Sequence, residues 1–123
     1  MIGALLAAQI WGAAGALAGP WEDGMAAYNR GDYVPAFQVF RAMAMQGNAE
    51  AQGLLGQMYR RGQGVKRSST RALVWFNRAA AGGNARANAE LHEMSQSMTA
   101  TELSRARAVM QACEASDYRN CPY

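Results

Sequence analysis

The stretch "AFQVFRAMAMQGNAEA" (36–51) returns, altered but in register, as "ALVWFNRAAAGGNARA" (72–87). Ala36 aligns with Ala72, Phe40 with Phe76, Ala44 with Ala80, Gly47-Asn48-Ala49 with Gly83-Asn84-Ala85 and Ala51 with Ala87. Every pair is 72 − 36 = 36 residues apart. A constant stride of that length marks stacked helix hairpins, none of which can bury its apolar face alone. No stretch alternates apolar and polar residues as a half-buried strand would. The expected fold class is therefore all-α, an α-α superhelix built as a solenoid of antiparallel helix pairs, closed by a C-terminal capping helix.

Local signals set the expected helices. "WEDGMAAYNRG" reads as a short helix ending near Gly31, with Glu22 and Asp23 at its positive N-terminal end. Asp32 is expected to cap a second helix, which tolerates Pro35 in its first turn and ends at Gly47. A third runs from about Ala49 to Arg61 and buries Leu54, Leu55 and Met58, with Gly62 and Gly64 stopping it. Ser68 caps a fourth, whose Ala72, Trp75, Phe76, Ala79 and Ala80 share one stripe. A fifth spans Ala85 to about Met98. "TATE" (99–102) is a capping box, Thr99 with Glu102, opening a sixth to about Glu114. Tyr28-Asn29-Arg30-Gly31 and Tyr59-Arg60-Arg61-Gly62 are equivalent helix ends, yet they lie 59 − 28 = 31 residues apart. The second unit thus carries 36 − 31 = 5 extra residues, expected within "QGVKRSS".

At 123 residues the chain makes one small domain. The three segments expected are a signal peptide (1–18), helical repeats (19–98) and a capping helix with a tail (99–123). "MIGALLAAQIWGAAGALA" has no charged side chain and ends in Ala16-Leu17-Ala18, small residues placed as signal peptidase requires, so cleavage is expected after Ala18. It lacks the usual basic residue near its start. An uncleaved anchor and a buried cytosolic helix are the alternatives, and a stable membrane span is not expected of so weakly apolar a stretch. A periplasmic or secreted location follows from the export reading. Cys113 and Cys121 then read as a disulfide closing the tail onto the last helix. The rival reading, metal binding, has two thiols and one distant His92, short of a four-ligand site. A net charge of +3 is too small to argue for nucleic acid.

The string Leu55, Gly56, Tyr59, Gly62, Gly64, Val65, followed by Ala72, Trp75, Phe76, Ala79, Ala80, Gly83, Asn84 and Ala87, resembles the Sel-one-like repeat, a relative of the tetratricopeptide repeat. The resemblance covers 51–87. Residues 23–50 look like a shorter unit of tetratricopeptide length, and 85–98 like the opening of another, with His92 in place of the motif glycine and Ser95 in place of the tyrosine. The tail resembles the terminal cap of exported bacterial members. Ser68 stands where the family usually has an acid and Arg71 where it often has a lysine. The resemblance implies a non-catalytic adaptor or scaffold module that binds a protein or peptide partner and uses no cofactor. It also implies an alternative, because some family members have been linked to binding or hydrolysing β-lactams.

Two candidate binding surfaces follow. Arg60, Arg61, Lys66, Arg67 and Arg71 place five cations within residues 60 to 71 with no carboxylate among them, a basic rim for an acidic peptide, an anionic envelope polymer or lipid headgroups, or simply a solvated loop. Asn29, Gln52, Gln57, Arg60 and Asn88 are candidates for a groove lined by the first helix of each pair. Tyr28, Tyr59, Met43 and Met45 read as packing residues. Gly53 and Gly56 are expected to face Ala72, Ala79 and Ala80, letting two backbones approach. No catalytic residue is expected. Lys66 is the single lysine and has no Ser three residues before it, as S-x-x-K chemistry requires. His92 has Glu90 and Glu93 nearby but no Gly-framed Ser or reactive Cys, and the two acids read as a solvated face.

Overall fold

The computed structural model describes residues 19–117. The expected signal peptide (1–18) with its cleavage point, and the tail with Cys121, fall outside the described residues. Among the described residues all regular structure is helical: α1 (Pro20–Asn29), α2 (Tyr33–Met45), α3 (Ala49–Arg61), α4 (Ser69–Ala81), α5 (Ala85–Ser97) and α6 (Ala100–Ala115). The all-α expectation holds, with helix bounds within one or two residues of those read from the caps.

The turns repeat as the aligned residues do. Gly47 and Gly83 adopt φ of 96° and 95°, and the asparagine after each caps the next helix. The Asn48 side chain accepts from the Ala51 amide at 2.9 Å, and that of Asn84 from the Ala87 amide at 3.1 Å. Ser68 caps α4 by accepting from the Arg71 amide, and Thr99 with Glu102 forms the expected capping box. Asp32 departs from expectation. It holds the N-cap position of α2, but its side chain makes no cap bond and instead accepts from Arg30 Nε at 3.2 Å.

Two side-chain bonds stitch neighbouring elements together. Gln52 Nε2 donates to the Ala44 carbonyl at 3.1 Å, and Asn84 Nδ2 donates to the Ala49 carbonyl at 3.2 Å. Asn84 thus caps α5 and also ties its turn to the start of α3. Asn84→Ala should cost about 1–2 kcal/mol by loss of the cap, and more through the abandoned carbonyl. Asn48→Ala should cost about 1 kcal/mol, from its cap alone. Urea midpoints of the two variants check the ordering, and equal midpoints would contradict the second role of Asn84.

The core centres on Phe40 and Phe76, both buried, each set against a glycine of the preceding helix. A Cβ added to Gly24 would stand 2.9 Å from the Phe40 ring, and one added to Gly56 would stand 2.7 Å from the Phe76 ring. The structure therefore corrects the expected partners. Gly56 makes room for an aromatic ring rather than for alanines, and Gly53 makes room for the Asn84 amide, 2.8 Å from where its Cβ would be. Edge-on aromatic pairs Trp21–Phe40 (5.3 Å) and Phe37–Tyr59 (5.5 Å) extend the same core. Tyr59 is buried and Tyr28 half-buried, as expected of packing residues. Met43 packs against the core, but Met45 is exposed at the end of α2, a correction to its expected role.

Each of α1 to α4 packs on the next, the most extensive pairing being α3 with α4, and α6 packs on α4 rather than on α5. His92 occupies the place on α5 where a glycine would admit a ring, and α6 offers only Ala106 and Cys113 as fully buried residues.

The five extra residues also find their place. α1 ends one residue after Tyr28 and α3 two after Tyr59, which accounts for one. The linker 30–32 has three residues and 62–68 has seven, so the loop takes 7 − 3 = 4 more. This longer loop is fastened to the first unit. The Tyr28 hydroxyl donates to Gln63 Oε1 at 3.0 Å, Val65 packs against the core, and Gly64 lies against the backbone of Tyr33 and Val34.

Candidate functional site

The repeating geometry brings α1, α3 and α5 to one face. Between them lies a cleft of about 380 Å³. Trp21 and Met25 of α1, Leu54 of α3, Phe76 and Ala87 form its apolar lining, and Glu50, Gln57, Asn84, Arg86 and Glu90 supply its polar groups. An apolar floor with a few polar groups around it is the usual chemistry of a recognition site. The glycine at Gly53 keeps the floor open beside Asn84.

Of the groove residues expected from sequence, Gln57 lines this cleft. Gln52 does not, because it is 3% exposed and its amide is spent on the Ala44 carbonyl. Asn29 is exposed at the end of α1, outside the lining. Asn88 lies on another side of α5, in a second cleft of about 280 Å³ with Leu73, Leu91, His92, Leu103 and Arg107. The sequence reading missed Trp21, Met25, Glu50, Leu54 and Arg86. A signal was there: Glu50, Gly53, Leu54 and Gln57 follow i, i+3, i+4, i+7 and so share one helix face.

The basic cluster is divided. Arg60 is held by Glu90 and by Glu93, the latter at 3.0 Å, so α3 is clamped to α5 and Arg60 leaves the rim. Glu90 is correspondingly half-buried rather than part of a solvated face. No sequence run could reveal this pairing, since the partners are 30 and 33 residues apart. Arg71 stacks over the Tyr59 ring at 5.8 Å. Arg61 at the end of α3, and Lys66 and Arg67 on the loop, remain exposed.

The second cleft holds His92 and Ser95, but they are not arranged as a nucleophile and base. Ser95 Oγ donates to the His92 carbonyl at 2.7 Å, and His92 Nε2 lies 3.2 Å from Gln96 Nε2. Among the described residues no group of three or more His, Cys, Asp or Glu is placed to hold a metal, and no helix is long and apolar enough to cross a membrane.

Successive helix hairpins whose second members bury an aromatic ring against a glycine of the first define a helical repeat protein. The Sel1 repeat family model matches residues 49–84, and over that span the chain is similar to a Sel1 repeat. The matched span runs from α3 through the Gly-bracketed loop to the Asn84 turn, including the Gly56–Phe76 contact. Sel1 repeats are generally protein-interaction modules, a role compatible with an adaptor. No curated protein matches the chain.

Proposed function

We propose that this protein is an exported, non-catalytic adaptor that holds a segment of a partner protein in the cleft between α1, α3 and α5. The observation that carries this reading is the apolar floor of Trp21, Met25 and Leu54, framed by Glu50, Gln57 and Arg86 on the first helices of successive hairpins. Such a cleft takes one or two apolar side chains of a peptide while Gln57 and the charged groups engage its backbone and flanks. Leu54→Lys and Gln57→Trp both obstruct it from positions that are only partly buried. Affinity capture from an envelope fraction should lose its principal partner with either variant and keep it when Lys66 and Arg67 are reversed to Glu. Retention of that partner by both cleft variants, with unchanged thermal melting, overturns this reading.

Export belongs to the same proposal: residues 1–18 act as a signal peptide cleaved after Ala18, delivering residues 19–123 to the periplasm or beyond. In that setting Cys113 pairs with Cys121. Cys113 is fully buried at the end of α6, and a bridge there fastens the tail to the capping helix. Closing so short a loop stabilises by roughly 2–3 kcal/mol. Thiol titration of the denatured, unreduced protein should find no free thiol, and finding two would remove both the bridge and the argument for export. The β-lactam alternative draws no support from the His92–Ser95 geometry, and incubation with a chromogenic β-lactam should give no turnover.

A further inference from the structure

We infer that a second face, formed by the outer side of α2 and the Gly62–Ser68 loop, docks on the surface of a bilayer containing anionic phospholipid. This goes beyond the cleft reading and stands on different residues.

The large apolar residues most open to solvent among those described are Val34, 59% exposed, and Met45, 47% exposed, and both belong to α2. At about 100° per residue, Val34, Arg41 and Met45 fall within about 40° of one another around the helix, and the outer two stand about 16 Å apart. They share a shallow groove with Phe37, Gln38, Ala42 and Gly64, and no carboxylate lines it. Asp32, two residues before Val34, is held by Arg30.

Gly64 brings the loop's cations to this stripe. Its α-carbon sits so close to the Tyr33 carbonyl that an added Cβ would lie 2.3 Å from the oxygen, and Lys66 and Arg67 follow directly, both exposed. Phe37 meets Tyr59 edge-on, and Arg71 stacks over the Tyr59 ring. Arg41 thus lies within an exposed apolar stripe, and the exposed Lys66 and Arg67 come two and three residues after the glycine that lines it. An acidic polymer would engage the cations alone. A bilayer surface engages both, since apolar side chains enter the acyl boundary while Lys and Arg pair with headgroup phosphates.

The test is flotation of the full chain with phosphatidylcholine vesicles, with and without phosphatidylglycerol, at several salt concentrations. A parallel arm uses soluble polyglutamate. Residues 1–18 are common to parent and variants, so their contribution is constant. Partition onto the phosphatidylglycerol vesicles should fall at least about tenfold with Lys66→Glu/Arg67→Glu. It should fall several-fold with Val34→Ser/Met45→Ser, and should weaken with salt. All four substitutions are at exposed positions and should leave the melting temperature in place. Indifference to phosphatidylglycerol, or variants that partition like the parent, would overturn the inference. So would a charge effect without an apolar effect, accompanied by polyglutamate binding, because that pattern identifies an acidic polymer.

Discussion

Gly64→Ala should be among the most destabilising single substitutions in this protein, costing about 3 kcal/mol or more and lowering the melting temperature by more than about 10 °C. Two effects add. Gly64 has a φ of +70°, a left-handed conformation that costs a residue with a Cβ about 1 kcal/mol. The new methyl would also stand 2.3 Å from the Tyr33 carbonyl oxygen and 2.9 Å from the Val34 amide nitrogen. Those are backbone atoms at the start of α2, so no side-chain rotation relieves the clash, and the loop must lift. Lifting it withdraws Val65 from the core and Gln63 from the Tyr28 hydroxyl. Gly31→Ala is the control, with a similar φ of +82° but nothing within 4 Å of its added carbon. It should lose only the conformational term. Thermal melts followed by circular dichroism compare the two, and equal losses would show that the loop does not rest on α2.

Gly56→Leu should rival it. A Cβ alone at this position would approach the Phe76 ring to 2.7 Å, and the rest of the leucine would have to displace a side chain that is 1% exposed. Overpacking costs about 1–3 kcal/mol when neighbours can yield. Here the ring is enclosed, so the upper end or beyond is expected. Gly24→Leu repeats the experiment in the first unit, where the Phe40 ring and Val39 stand 2.9–3.0 Å from the added carbon. The informative second step is Gly56→Leu with Phe76→Ala. The double variant should recover part of the loss, because the space vacated by the ring can receive the leucine. Strict additivity would mean that this glycine and this ring do not share the space.

The hairpin order, the helix bounds and the core rings were legible because periodicity and turn chemistry are local. Ser68, Thr99 and Glu102 cap within three residues, and Gly47-Asn48 and Gly83-Asn84 announce their turns in place. Asp32 misled because a good capping residue is also a good partner for Arg30, two residues away. The binding surfaces were harder to read, since they depend on which helices meet. Gln52 looks like a polar surface residue until the Ala44 carbonyl is placed over it. Arg60 looks like one cation among five until α5 supplies Glu90 and Glu93. Gly24 was passed over because it lies four residues before Tyr28, whereas Gly56 lies three before Tyr59, and strict spacing hid their common task against Phe40 and Phe76.

The strap of residues 62–68 bears on how a short array comes apart. Arrays held only by helix-to-helix faces can fray unit by unit from either end. In this chain the first hairpin cannot peel away without also releasing Gln63 from Tyr28 and Gly64 from the Tyr33–Val34 backbone. Hydrogen exchange at the α1–α2 and α3–α4 amides should therefore report a single shared opening event, giving two small hairpins the unfolding cooperativity of one larger body.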